Sequence, residues 1–222
     1  EIYTLSLHDA LPISSWTVNS AVHTNISSRG KPRLMLHSCC GPCSTSVIER
    51  LIENYNLTVF FYNPNIVNGE EYKRRLEAQE KVINWFKNHI DRGAGLELID
   101  GRYSKEEFSL KTKGLESAPE GSIRCNTCFG LRLDKTAERA VERNFDYFTT
   151  TLTVSPHKNR EIINFLGESI GKERGIDFLQ RDFKKQDGFR RSVELSAEIG
   201  IYRQNFCGCR FSVWDIKKNL GT

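Results

Sequence analysis

The sequence has no apolar stretch near the roughly 20 residues that a membrane-spanning helix requires, so we expect a soluble protein without a membrane partner. Its first residues carry no Lys or Arg ahead of an apolar segment, so secretion is not indicated. No internal repeat is visible either. Without a secretion signal we expect a cytoplasmic location, where structural disulfides are rare.

The sequence also lacks a strong excess of one charge. It has 32 basic and 28 acidic residues, which gives a formal net charge of +4. A basic excess of this size permits nucleic-acid binding and does not establish it.

A chain of 222 residues with 38% hydrophobic residues is long enough for one sizeable core. Residues 1–13 (EIYTLSLHDALPI) resemble the translation of a sequencing adapter, and we exclude them from the fold. Residues 14–30 are rich in Ser and Asn, which is typical of a disordered leader. We therefore expect a single α/β domain over residues 31–222.

Seven cysteines are the most informative residues of the chain, and they fall into three tight clusters. Their vicinal, C-x-C and C-x-x-C spacings let neighbouring thiolates converge on one metal centre. An odd number of cysteines also argues against a framework built only of disulfides. The pattern indicates a cysteine-ligated iron–sulfur or zinc site, or a redox dithiol. The clusters are Cys39, Cys40 and Cys43; Cys125 and Cys128; and Cys207 and Cys209.

Strand and helix patterns alternate along the chain, which predicts right-handed βαβ units in a Rossmann-like parallel sheet flanked by helices. The predicted strands are 34–36, 57–62, 96–99, 147–152 and 176–179. The predicted helices are one that follows the Gly41-Pro42 turn, one capped by Asn68, and those at 125–142, 160–174 and 190–198.

Ligands of open α/β sheets gather at the carboxyl ends of the strands. Cys39 and Cys40 directly follow the first strand, and Cys128 is predicted in the first turn of a helix. There the helix dipole and free N–H groups lower a thiol pKa and favour the thiolate. We therefore predict a metal site at this edge, with Cys39, Cys40, Cys125 and Cys128 as iron–sulfur ligands.

Other interpretations of the cysteines stay open. A structural zinc site also holds C-x-x-C pairs, but a vicinal pair that lies about 85 residues from its partner favours iron–sulfur. Cys207 and Cys209 can close a small, strained and easily reduced disulfide, or ligate a second metal. Cys43 is either a further metal ligand or a small hydrophobe at a helix start. Inert buried cysteines would explain only one or two of the seven.

Some polar residues near predicted strand ends have a plain structural explanation beside a functional one. His37 is a candidate donor behind the metal ligands, but a hydrogen-bonded core histidine is the favoured interpretation. Asn63 and Asn65 can orient a substrate, although turn formation alone explains both.

Basic residues provide a candidate substrate surface. His157 is a candidate proton donor and Lys158 a candidate phosphate contact, because both follow a predicted strand. The densest basic stretch alternates with aromatic residues, which fits an RNA surface as well as a solvated face. It consists of Lys184, Lys185, Arg190 and Arg191, interleaved with Phe183 and Phe189.

Six segments together resemble the cobalamin-independent epoxyqueuosine reductases of the QueH type, in the same order and over roughly residues 31–212. They are HSCCGPCS (37–44), FFYNPNI (60–66), CNTCFGLRL (125–133), YFTTTLTVSPHKN (147–159), DFKKQDGFRRSVELS (182–196) and YRQNFCGC (202–209).

The resemblance implies an epoxyqueuosine reductase, an oxidoreductase of queuosine biosynthesis. Its reaction reduces epoxyqueuosine to queuosine at the tRNA wobble position, the last step of that biosynthesis, with tRNA and an external electron donor as partners. A 4Fe–4S cluster on Cys39, Cys40, Cys125 and Cys128 is implied, with a second mononuclear iron or zinc nearby. Cys207 and Cys209 would form a redox-active disulfide. Cys43 stands where some relatives have Asp, so sulfur replaces an oxygen ligand.

The sheet also resembles the PP-loop, or adenine nucleotide alpha-hydrolase-like, fold. The first loop of those ATP-using enzymes is of the Ser-Gly-Gly-x-Asp-Ser type, whereas residues 39–44 here read CCGPCS. We therefore expect no ATP binding, which weakens the alternative of an iron–sulfur tRNA-thiolation enzyme. A zinc-stabilised RNA-binding module is the other alternative, and a thioredoxin-like reductase lacks its strand–helix context.

Overall fold

The computed structural model describes residues 30–212. The predictions for residues 1–13 and 14–30 therefore lie outside the described residues, apart from Gly30, as do residues 213–222. No helix within the described range is long and apolar enough to cross a membrane.

Strands and helices alternate as predicted, with one additional helix. The strands are β1 (Arg33–Ser38), β2 (Asn56–Phe61), β3 (Glu97–Asp100), β4 (Tyr147–Thr150) and β5 (Asp177–Phe178). The helices are α1 (Gly41–Leu51), α2 (Gly69–His89), α3 (Lys105–Lys111), α4 (Ile123–Glu142), α5 (Arg160–Arg174) and α6 (Gly188–Ile199), with short 3-10 helices at Asp91–Gly95 and Thr151–Val154.

The five strands form one parallel sheet in the order β3-β2-β1-β4-β5, which confirms the predicted α/β class. β1 is central, and the chain continues to β2 on one side and later to β4 on the other. Such a reversal of strand order opens a crevice at the carboxyl ends of the two strands beside it. The loops that follow β1 and β4 therefore meet there.

Both faces of the sheet are covered. Leu34 and Leu36 of β1 pack into a cluster with α1 and α2, whereas Met35 packs on the opposite face with α4 and α5. All three side chains are fully buried, and the burial of each one stabilises the folded state by about 1.5–3 kcal/mol. A strand buried on both faces shows a continuous apolar run instead of an alternating pattern, as residues 34–36 do.

Helix ends follow from local capping. The Asn68 side chain accepts a hydrogen bond from the Glu71 N–H at 2.8 Å, as the sequence predicts for the start of α2. α5 has the predicted bounds: Asn159 caps its start, and Gly175 ends it in the left-handed region with φ 70°.

Besides the start of α4, two elements differ most from the prediction. β4 ends at Thr150 because the chain turns into a 3-10 helix, where the Thr150 hydroxyl accepts a hydrogen bond from the Leu152 N–H. α3 was not predicted, because it has only 7 residues and buries only Phe108. Its apolar pattern is too short to recognise.

Candidate metal centre

A cavity of about 610 Å³ lies at the predicted edge of the sheet, between the segments that follow β1 and β4. Residues of α4 and of the segment after α6 complete its wall. All three cysteine clusters reach this cavity, although they are far apart in sequence. Six of the seven cysteines line it: Cys39, Cys43, Cys125, Cys128, Cys207 and Cys209.

The first cluster is a compact group of three sulfur atoms at the start of α1. The Sγ atoms of Cys39, Cys40 and Cys43 lie within 4.8 Å of one another, and those of Cys39 and Cys40 are 3.7 Å apart. Cys40 precedes the helix in an extended conformation, and Pro42 in the first turn presets helical φ. This backbone brings the three thiols together, and such a donor set suits a metal ion or cluster that prefers sulfur.

Hydrogen bonds within the group localise its negative charge. The thiols of Cys40 and Cys43 donate to Cys39 and hold the Cys39 pKa well below its usual range. The same bonds raise the pKa of Cys40 to about 12 and that of Cys43 well above its usual value. The hydroxyl of Thr151, directly after β4, also lies 3.6 Å from the Cys39 sulfur. Cys39 is therefore the most acidic thiol of the group.

α4 supplies the second cluster, but one prediction about it is wrong. The helix begins at Ile123, so Cys125 lies in its first turn and Cys128 in its second. Burial raises the pKa of Cys128 to about 11 and also raises that of Cys125. The helix start therefore does not make Cys128 a thiolate, and a metal would have to displace its proton on binding.

The third cluster lies on the segment after α6. Gly208, between the two cysteines, has φ 111°, a conformation that side chains disfavour. A hydrogen bond from Cys209 lowers the pKa of Cys207 well below its usual value and raises that of Cys209. Both cysteines are free thiols in the structure. Cys207 is therefore the more acidic thiol of a hydrogen-bonded pair.

Two side chains that the sequence did not single out hold this segment against the other clusters. The buried Arg75 of α2 binds Glu71 at 2.6 Å through Nε and donates through Nη1 to the Cys207 carbonyl at 3.1 Å. Gln204 donates through Nε2 to the Cys40 sulfur at 2.8 Å. The Glu71–Arg75 pair reads in sequence as an ordinary surface i,i+4 pair, so nothing indicated its role.

His37 is a core residue, as the favoured interpretation predicts. Its Nδ1 accepts from the Thr150 hydroxyl at 2.8 Å, and its Nε2 donates to the Tyr62 carbonyl at 3.1 Å. Burial, aided by the charge of Arg132, lowers the His37 pKa to about 3. The imidazole is therefore neutral and fully hydrogen-bonded.

The two asparagines differ. Asn63 donates to the Ser38 carbonyl at 2.9 Å, so it stabilises the turn between β2 and α2. Asn65 lines the cavity, and its buried Oδ1 has no hydrogen-bond partner within residues 30–212. A substrate role therefore remains a prediction for Asn65 alone.

His157 and Lys158 line the cavity, as expected for residues that follow β4. Burial opposes the charge of Lys158, but the negative charge of nearby cysteines, chiefly Cys207 and Cys39, outweighs burial and raises the Lys158 pKa above its usual value. Lys158 therefore presents a positive charge to the cysteines.

The denser basic stretch lies outside the cavity wall. Arg191 forms a two-pronged ion pair with Glu49, with distances of 3.0 and 2.6 Å. Arg190 pairs with Asp187 at 2.7 Å. Lys184 donates to the Lys158 carbonyl at 3.2 Å, and Lys185 is exposed.

Arg132 of α4 is the buried cation that the sequence did not reveal. It lines the cavity and is 1% exposed, and its Nε donates to the Cys128 carbonyl at 3.2 Å. Its Nη2 is buried and has no hydrogen-bond partner in the described part of the chain. In the sequence, Arg132 stands in an ordinary helix pattern, and nothing there indicates that its side chain is buried at the cavity.

A family model described as Epoxyqueuosine reductase QueH matches residues 34–215. The chain is 42% identical over 182 residues to the Epoxyqueuosine reductase QueH of Streptococcus pyogenes serotype M1, covering 82% of this chain and 71% of that protein. It is 41% identical over 184 residues to the protein of that name from Staphylococcus epidermidis, covering 82% and 76%. The relative of that name from Thermotoga maritima is 37% identical over 183 residues, covering 81% and 90%.

Proposed function

The chain belongs to the epoxyqueuosine reductase QueH family, and we propose that it catalyses the reduction of epoxyqueuosine to queuosine in tRNA, the last step of queuosine biosynthesis. One observation carries the chemical part of this proposal. Three cysteine clusters from separate elements line one cavity at the carboxyl ends of the central strands. Such a concentration of thiols suits electron transfer, and a purely structural role would not require it.

The reaction sets the demands on the site. Conversion of the epoxide to an alkene breaks two carbon–oxygen bonds and forms one carbon–carbon double bond. It consumes two electrons and two protons and releases the oxygen as water. The site must therefore supply electrons and protons and hold the epoxide oxygen.

We propose that Cys39, Cys40, Cys125 and Cys128 hold a 4Fe–4S cluster, and that Cys43 contributes to a second mononuclear iron or zinc. The grouping of the Cys39, Cys40 and Cys43 sulfurs within 4.8 Å supports metal binding there. When bound, a cluster supplies single electrons, and a Lewis-acidic iron polarises oxygen. The free thiols of the chain lose their protons as the metal enters.

Cys207 and Cys209 are proposed as the redox pair. When the two thiols join in a disulfide they release two electrons and two protons, which matches the demand of the reaction. An external reductant then returns the disulfide to the dithiol. The hydrogen bond between the two thiols and the tight turn at Gly208 support this role.

The size of the cavity limits what enters it. At about 610 Å³ it lies within the range of ~300–1,000 Å³ typical of small-molecule pockets. It can take one modified base but not a stacked loop, so we propose that the base leaves its stack to bind. His157 is then positioned on the cavity wall as a candidate proton donor, and Lys158 as a candidate phosphate contact.

Phosphates outside the cavity are proposed to contact the basic stretch: Lys184, Lys185, Arg190 and Arg191. The ion pair of Arg190 with Asp187 is largely exposed, whereas the two-pronged pair of Arg191 with Glu49 is only partly exposed and would be harder to replace. Exposed pairs contribute only ~0–1 kcal/mol, so RNA phosphates can replace their carboxylates at little cost.

We further propose that residues 31–222 form a single iron–sulfur reductase domain of PP-loop-like fold that acts in the cytoplasm. The strand order β3-β2-β1-β4-β5 and the site at the first strand–helix turn support this fold. The cysteines and Pro42 that stand in that turn support loss of ATP binding.

The activity is tested with the full chain, reconstituted anaerobically with iron and sulfide and supplied with a chemical reductant. Epoxyqueuosine tRNA is added, then digested to nucleosides for mass spectrometry. We expect queuosine to accumulate only when reductant is present. A colourless, zinc-loaded protein that binds tRNA but leaves epoxyqueuosine unchanged would instead indicate an RNA-binding module.

A further inference from the structure

Three arginines of the described chain are buried beside the cavity, and they differ in how their charge is satisfied. Arg75 is ion-paired to Glu71 at 2.6 Å and donates to two backbone carbonyls. Arg124 donates to the carbonyls of Leu115 and Glu116, at 3.3 and 3.0 Å, and to that of Ala118. Neither guanidinium group has a buried nitrogen atom that lacks an acceptor within residues 30–212.

Arg132 has no such set. Its Nε donates to the Cys128 carbonyl at 3.2 Å, and its guanidinium carbon lies 5.6 Å from the centre of the Phe129 ring. Its Nη2 is buried without an acceptor within residues 30–212. A buried charge that lacks a partner destabilises a fold strongly, so its presence requires negative charge close by.

The negative charge comes from sulfur. Arg132 lines the same cavity as Cys39, Cys128 and Cys207, and thiols that ligate a metal carry negative charge because they lose their protons. Arg132 and cysteines of all three clusters therefore line one cavity.

We propose that Arg132 is a positioning residue for the reaction: its fixed positive charge compensates the cysteine-ligated centre and raises the reduction potential of that centre. This inference rests on the proposed function, since it requires a metal centre on the cysteines. Each electron added to a thiolate-ligated cluster makes it more negative, and a nearby cation stabilises the more negative state. Arg132 therefore makes the centre easier to reduce.

The test compares Arg132→Gln with Arg132→Lys in the full, reconstituted chain. The Gln side chain is of similar length but uncharged, whereas the Lys side chain keeps the positive charge and lacks the planar guanidinium group. The reduction potential is measured by an anaerobic dye-mediated titration followed by visible absorbance, with iron and sulfide quantified on the same samples. We expect a more negative potential for Gln and a nearly unchanged potential for Lys.

The matched control is Arg139→Gln on the same helix. Arg139 is partly exposed and paired with Glu142 at 2.9 Å, so its removal should leave the potential unchanged. A loaded Arg132→Gln protein with the wild-type potential would overturn the proposal. If Arg132→Gln does not hold iron, recovery of loading in Arg132→Lys supports a requirement for charge, and failure of both variants assigns Arg132 to packing alone.

Failure of the proposed function is a separate outcome. A wild-type chain that forms no iron–sulfur chromophore would contradict the proposed function before any variant is compared. A wild-type chain that is loaded and active, beside Arg132→Gln with an unshifted potential, would contradict only the role of Arg132.

Discussion

Cys207 is the acidic member of the C-terminal cysteine pair, because the thiol of Cys209 donates a hydrogen bond that lowers its pKa. Replacement by Ser removes the disulfide partner of Cys209 and leaves the cysteines of the other clusters in place. We expect Cys207→Ser to keep the visible absorbance of the reconstituted cluster and to lose turnover of epoxyqueuosine tRNA. Absorbance and product formation are measured on the same sample.

Cys209→Ser is the matched variant, because a disulfide needs both sulfurs. It should lose turnover in the same way. Wild-type turnover by either variant would contradict the redox role of the pair, and loss of iron in Cys207→Ser would indicate a metal ligand instead.

Phe189 is a large apolar side chain that is both exposed, at 41%, and part of the cavity wall. A base that leaves its stack can rest against this ring, and base–aromatic stacking contributes about 1–3 kcal/mol. We expect Phe189→Ala to raise the KM for tRNA by roughly 5- to 150-fold, with iron content unchanged. Steady-state kinetics measure this effect.

Phe165→Ala provides the control, because Phe165 is 68% exposed on α5 and does not line the cavity. It should leave KM unchanged. Equal effects of the two variants, or none for Phe189→Ala, would show that the ring does not contact the base.

At the residue scale, the meeting of the three cysteine clusters at one cavity could be predicted from sequence, whereas the side chains that surround them could not. Spacing alone identified all three clusters, because thiols have few alternative uses in a reducing compartment. Gln204 acts through a contact with Cys40 of a distant element, and Arg132 lines the cavity beside cysteines of other elements. Only the folded chain brings such partners together, so local pattern carried no sign of them.

Helix α1 depends on a close approach to α2. A Cβ added to Gly41 would lie 2.8 Å from the Ala78 carbonyl oxygen, a backbone atom that cannot move aside freely. We expect Gly41→Ala to lower the free energy of unfolding by about 1–3 kcal/mol, because overpacking shifts the helix. Iron content should also fall, since Cys40 and Cys43 flank this position. Denaturant titration and iron analysis measure both effects.

Gly130→Ala is the matched control within α4. A Cβ there meets no atom within 4 Å, and Ala favours a helix over Gly by roughly 0.5–1 kcal/mol. We expect this variant to be slightly more stable with full iron content. Equal stability of the two variants would contradict the tight α1–α2 contact.

At the element scale, strong caps made the bounds of α5 predictable, and the lack of a side-chain cap caused the error at the start of α4. Asn159 and Gly175 mark both ends of α5, and its predicted bounds were confirmed. The start of α4 was misplaced because Ser122 makes no capping hydrogen bond, so the pattern gave no clear first residue. That error put Cys128 in the wrong turn and gave it the wrong pKa direction.

Binding of tRNA is a property of the whole surface and should depend strongly on salt. Each phosphate contact contributes roughly 0.7 to the slope of log affinity against log salt for single strands. We expect affinity to fall steeply as salt rises, and the slope to become shallower by about 1.4 units in the Lys184→Gln, Lys185→Gln double variant. Binding titrations over a salt series measure the slope.

Arg174→Gln is the control for this surface, since Arg174 pairs with Asp134 on the α4–α5 side of the molecule. Its slope should match the wild type. A wild-type affinity that stays flat from low to high salt would contradict the proposed RNA surface.

At the scale of the whole molecule, the parallel sheet was predictable because buried strands show continuous apolar runs, as in Leu34-Met35-Leu36. The rule that ligands gather at carboxyl strand ends also placed the cysteines on one edge. The position of the segment after α6 relative to the other two cysteine clusters could not be predicted. It depends on contacts with Arg75 and on the bond from the Val67 N–H to the Gly208 carbonyl.

The central claim is that these cysteines hold an iron–sulfur cluster for reduction of epoxyqueuosine. The most direct measurement is anaerobic purification of the full chain, with iron, sulfide and zinc quantified beside the visible spectrum. We predict a brown protein with about four iron and four sulfide per chain, or slightly more iron. A colourless protein with about one zinc and no sulfide would contradict the account.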